Sequence, residues 1–164
     1  MSIENDIALL NGIPTLTLLG AEALRIIAIS AESRIVRGGD ILFREGQAAD
    51  SAYLIVSGAF SLTHDRTLRA GRRSASVTVG PGTLLGEMAL LTETKRPATA
   101  TATELSNVLR IPRSIFRRTL ESYPEAALRL AQVMQERVAE TVNGIEGVRR
   151  RIERIERSPR APRD

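Results

Sequence analysis

From Ser33 to Ile111 the chain is written in short apolar runs parted by glycine-bearing turns. SRIV, ILF, AYLIV and AFSLT are separated by GGD, REG and SG. Turns recurring about every ten residues between such runs predict antiparallel strands folded into a barrel or sandwich. After the basic hairpin tip HDRTLRAGRR come SVTV, the turn Gly80-Pro81-Gly82, the alternating run ATATATE and finally NVLRI. Period-two alternation suits a strand with one face inward. About eight strands are predicted, the number in a jelly roll.

Helical sequence flanks this block. Ile3 to Leu10 predicts a short helix stopped by Asn11-Gly12 and Pro14. Ala21 to Ser30 predicts a second, with Leu24, Ile27 and Ala28 on one face. Pro112 reopens helical sequence: SIFRRTL ends near Tyr123-Pro124, and a long helix is predicted from Glu125 toward Arg157. The fold class expected is α+β, a β jelly roll with N-terminal helices and a long C-terminal helix. Its parts are a helical flap over residues 1–32, the jelly roll over 33–111, helices over 112–157 and a disordered tail over 158–164. There is no internal repeat.

Composition narrows the function classes. Aromatic residues are 3% of the 164, so an aliphatic core is expected. With no cysteine, disulfides and thiolate zinc sites are excluded, and a reducing, cytoplasmic setting is expected. MSIENDIALL has no basic n-region of a secretion signal, and no apolar run reaches the length of a membrane span. The net charge of +4 resides in Arg149 to Asp164, where seven arginines face three acids. The body is therefore near neutral, and the basic tail says little about what the body binds.

One stretch stands apart: Gly86 to Ala102, GEMALLTETKRPATATA. Glu87 and Arg96 lie nine residues apart among small side chains, so a helical turn and a loop can fold both onto one ligand. A guanidinium and backbone N–H groups suit a cyclic phosphate, and a carboxylate suits a ribose hydroxyl. An ion pair closing a loop explains the same two residues equally well. Gly80, Gly82 and Gly86 miss the spacing of a dinucleotide-binding loop, and Pro81 intrudes.

RGGDILFREGQAADSAYLIVSGAFSL followed by GTLLGEMALLTETKRPATATA resembles the cyclic-nucleotide-binding domain family. That family includes protein kinase A regulatory subunits, bacterial catabolite activators and cyclic-nucleotide-gated channels. The resemblance covers roughly Ile13 to Glu140; Gly39-Asp40, Glu45-Gly46, Tyr53-Leu54-Ile55 and Gly58 fall at the family's turns and strands. It implies a β jelly roll flanked by helices and a ligand, cAMP, rather than a cofactor. Gly86 and Glu87 would meet the ribose, Glu87 accepting from the 2′-hydroxyl. Arg96 would pair with the phosphate. Met88 belongs to the same turn, and Ala89 and Ala98 would offer N–H groups or close contact. Leu84, Leu85 and Val77 would line the pocket, and Thr141 on the last helix would meet the base.

Pro97 departs from the family pattern, in which Ala, Ser or Thr follows the arginine and turns its N–H to the phosphate. Proline has no N–H. Losing one hydrogen bond to a charged group costs about 1.5–3 kcal/mol, or about ten- to a hundredfold in affinity. A hydroxyl here is what cGMP-preferring members use, so Pro97 favours cAMP over cGMP.

The C-terminal helix carries a heptad, with Ala131, Val138, Ile145 and Ile152 at a, and Met134, Thr141, Val148 and Ile155 at d. A parallel homodimer is expected, and Thr141 on its seam would let a bound ligand reach the partner chain. Only about twenty residues follow Thr141, so a helix-turn-helix reader is not expected. The expectation is a stand-alone sensor acting through an unnamed protein partner or its oligomer state. Three rivals are weighed against it: a degenerate domain that only mediates protein contacts, an arginine tail that binds nucleic acid or an acidic membrane, and an enzyme. Nucleic acid is not the expected partner, since the tail reads as a solvated helix end. Catalysis is not expected either. His64 is the single histidine, no metal cluster or activated nucleophile is legible, and nothing places Glu87 beside Glu93.

Overall fold

A computed structural model describes residues 2–64 and 76–136. The chain divides into two compact units, Met1–Ala127 and Leu128–Asp164. Thr141, most of the heptad, the tip between His64 and Ser76, and the arginine tail lie outside the described residues.

Three helices open the first unit: α1 (Ile3–Asn11), α2 (Pro14–Thr17) and α3 (Ala21–Ser30). Ser2 caps α1 by accepting from the Asn5 N–H. The short α2 was not expected; Pro14 stops α1 and then supplies the first residue of a new turn, where its missing N–H costs nothing. Leu10, Leu16, Leu24 and Ile27 are fully buried among these helices.

Ten strands follow among the described residues. They are β1 (Glu32–Val36), β2 (Ile41–Phe43), β3 (Ala48–Ala49), β4 (Ser51–Ser57), β5 (Phe60–Thr63), β6 (Val77–Val79), β7 (Leu84–Leu85), β8 (Thr94–Lys95), β9 (Thr99–Ala102) and β10 (Ser106–Pro112). All pairings are antiparallel: one sheet in the order β1-β10-β4-β7, a second in the order β2-β9-β5-β6, and the ribbon β3-β8. This is the jelly roll. Seven of the ten match the runs read from the sequence; the other three, β3, β7 and β8, are two-residue pieces too short to show an alternation. Helix α4 (Met88–Leu91) lies between β7 and β8, and α5 (Arg113–Ser122) follows β10. Residues 124–136 are helical again. Among the described residues no helix is long and apolar enough to cross a membrane.

The core is aliphatic, as expected: Leu, Ile, Val and Ala supply most of its buried side chains. Few as they are, the aromatics go inside: Phe43, Tyr53, Phe60 and Phe116 are all buried. The alternating run explains how they fit. In β9 the threonines Thr99 and Thr101 are partly exposed while Ala100 and Ala102 point inward. Ala102 pairs with Phe60 and Ala100 with Leu62, so each methyl leaves room for a larger side chain opposite. The strand β4 is buried on both faces. Tyr53 and Ile55 enter the sheet core, and α1 and α4 pack on the strand as well. Gly58 has φ +87°, and a Cβ there would overlap Ser106, so this turn accepts only glycine.

Candidate functional site

The special stretch leaves the sheet after β7, whose Leu84 and Leu85 pair with Leu54 and Tyr53 of β4. Gly86 then turns the chain with φ +73°, in the left-handed region that glycine adopts without strain. The helical turn α4 follows, closed by Ala89 N–H to Gly86 O at 3.0 Å and Leu90 N–H to Glu87 O at 3.1 Å. Ala89 and Leu90 are its buried anchors. On the return, β8 pairs with β3 through Ala48–Lys95 and Ala49–Thr94. Arg96 is clamped by its backbone: its N–H donates to Gln47 O at 2.8 Å and its carbonyl accepts from Gly46 at 2.9 Å.

The Arg96 side chain is only 4% exposed. Its guanidinium carbon lies 4.4 Å from the Phe43 ring centre and 5.4 Å from that of Tyr53. Nη2 makes a long contact of 3.5 Å to Ser51 Oγ, and buried Nη1 has no hydrogen-bond partner. Burial pushes the Arg96 pKa down, against smaller opposing pulls from Tyr53 and Asp50. Glu87 mirrors this state: its Oε1 is buried and also without a partner. None of the ion pairs joins Glu87 to Arg96, so the loop-closing ion pair is not formed. Two aromatic faces give a cation about 0.5–2 kcal/mol, far less than the desolvation of an unpaired buried charge. A site that keeps a cation and an acceptor unpartnered suits a ligand that brings an anion and a hydroxyl.

Gly86, Glu87, Met88, Ala89, Arg96 and Pro97 all border one cleft of about 270 Å³, mostly apolar, as the sequence reading requires. Leu85 belongs instead to the apolar core, Ala98 is buried, and neither borders the cleft. Val77 is exposed on β6 and does not border the cleft. Thr141 lies outside the described residues. Ala49, Thr94 and Lys95 border the cleft without having been singled out, and Phe43, Tyr53 and Ser51 hold the arginine. Thr94 and Lys95 lie within the stretch set apart in the sequence, whereas strand register brings Phe43, Ala49, Ser51 and Tyr53 there.

A polar chain runs outward from the arginine. Ser51 Oγ donates to Asp50 Oδ1 at 2.9 Å, and Arg110 bridges Asp50 Oδ2 and Glu32 Oε2 at 3.2 Å each. Arg113, the first residue of α5, donates from Nε to Ala89 O at 2.6 Å and from Nη2 to Ala49 O. It thereby fastens α5 to both sides of the cleft. A larger cleft of about 570 Å³ lies at Ser30, Glu32, Arg110 and the start of α5. There Arg110 is paired with Glu32 and Asp50 and Arg113 is engaged by backbone carbonyls, and none of its lining side chains is a buried polar group without a partner.

Known proteins share this fold. The sequence profile of the cyclic nucleotide-binding domain matches residues 33–123. A solved cyclic nucleotide-binding-like protein from Brucella abortus is 46% identical, with a TM-score of 0.63, over 71% of this chain and 97% of that one. The N-terminal domain of a transcriptional regulator from Streptomyces coelicolor is 26% identical, with a TM-score of 0.72, over 84% of this chain and 94% of that one. Among curated proteins, the lysophospholipase NTE1 of Chaetomium globosum is 26% identical over 108 residues, 66% of this chain. The match spans 7% of that lysophospholipase's length.

Proposed function

The chain belongs to the cyclic nucleotide-binding domain family, and from that premise we propose that it is a regulatory module whose cleft takes cAMP in preference to cGMP. The observation that carries this reading is the buried Arg96, held under Gly86 and against two aromatic rings, with no acid paired to it. A cyclic phosphate supplies the missing negative charge, and a ribose 2′-hydroxyl supplies a donor for Glu87. Pro97 offers no hydroxyl, which supports the preference for cAMP. The matches to a regulator's N-terminal domain and to a small part of a lysophospholipase support a signalling role without catalysis.

Titration of the protein with cAMP and cGMP by calorimetry tests this. Heat with cAMP, weaker heat with cGMP and none for Arg96→Ala are expected. Silence from the wild type at high micromolar cAMP overturns the ligand claim. It would favour the second reading, which Pro97 supports: a ligand-free domain that binds other proteins. The heptad supports a parallel homodimer as the readout. Sedimentation should find a dimer at tens of micromolar; a monomer there rejects it.

A further inference from the structure

We propose that Lys95 is the second cation of this site, making at the rim of the cleft the contact to the phosphate for which Pro97 has no N–H. The inference rests on the cyclic-nucleotide reading of the same cleft. Lys95 borders the cleft together with Arg96 and Pro97, and it is exposed where Arg96 is buried. Its backbone is fixed by pairing with Ala48, so the ammonium is carried on a flexible four-carbon stem from a set point. Among the described residues no ion pair or hydrogen bond engages that ammonium.

Charge balance points the same way. Glu87 and Arg96 both border the cleft and cancel, so with these two alone a phosphodiester would enter a neutral site. Lys95 makes the local sum positive by one, matching the single charge of a cyclic phosphate. A rim cation acts chiefly on encounter: it speeds association and makes it salt-sensitive, while a buried partner governs release.

The test uses the full chain with cAMP, by calorimetry and stopped-flow binding at low and high salt. Lys95→Gln should weaken binding about two- to fivefold, the scale of an exposed charge pair. The loss should fall mainly on the association rate, and its salt dependence should flatten. Lys95→Arg should restore both. In a Pro97→Ala background, where an N–H is available, Lys95→Gln should cost less. If the wild type binds and Lys95→Gln matches it in rate, affinity and salt response, the role of Lys95 is overturned while the nucleotide reading stands. If the wild type binds no cyclic nucleotide, both fall.

Discussion

Gly86 lies directly against the Arg96 guanidinium: a Cβ on Gly86 would fall far inside contact distance of Nη1. The glycine that turns the chain is therefore also the lid over the buried cation. Two demands meet at one residue, a positive φ and the absence of a side chain. Gly86→Ala should cost about 1–2 kcal/mol in stability from the left-handed backbone alone. It should also push the guanidinium out of place, so that cAMP affinity falls by more than the stability loss explains. Calorimetry beside thermal melts separates the two, and a variant with unchanged affinity would show that the guanidinium has room to move.

Arg96 is a poor structural residue, since it is buried without an acid. Replacing such a group by an apolar one of similar length is often neutral or favourable. Arg96→Met should leave the ligand-free protein at least as stable as wild type, because the relieved desolvation outweighs the lost ring contacts. Binding of cAMP should vanish. A ligand-free protein that unfolds on this change would show that the arginine serves the fold.

Pro97→Ala restores an N–H beside the cation. If that N–H meets the phosphate, cAMP affinity should rise about ten- to a hundredfold. No gain by calorimetry would mean that the backbone here faces elsewhere.

Acid should reach the protein through Asp50. The hydrogen bond from Ser51, against some desolvation and with the Arg110 charge adding to it, holds the Asp50 carboxyl below its ordinary value. A lowered folded pKa means that the stabilisation is complete above the unfolded value of about 3.9 and is lost as pH falls through the folded one. Asp50→Asn should therefore lower stability at neutral pH, by less than about 1 kcal/mol because the group is largely exposed. Denaturation curves of variant and wild type should converge in strong acid; a gap that persists there contradicts the assignment.

Much of this was legible in the chain itself. The helix Ala21–Ser30, the strand at Thr99 and the short turn of Met88–Leu91 all follow from local period and punctuation. So does the placing of Gly86, Glu87 and Arg96 around one cleft, because a family motif within eleven residues needs only a turn to close it. The company Arg96 keeps was not legible. Phe43, Ser51 and Tyr53 stand 43 to 53 residues before it, and nothing in their own neighbourhoods links them to the arginine. The aliphatic core followed from the scarcity of aromatics, whereas the burial of most of the few present depends on where strands cross.

By itself, then, the sequence determined the kinds of element, their order and the short motif, since these depend on residues a few positions apart. The tertiary structure alone decided that Glu87 and Arg96 stay apart and that two rings from distant strands hold the cation. Those are matters of distance through space, set by sheet register and packing, and no local pattern carries them.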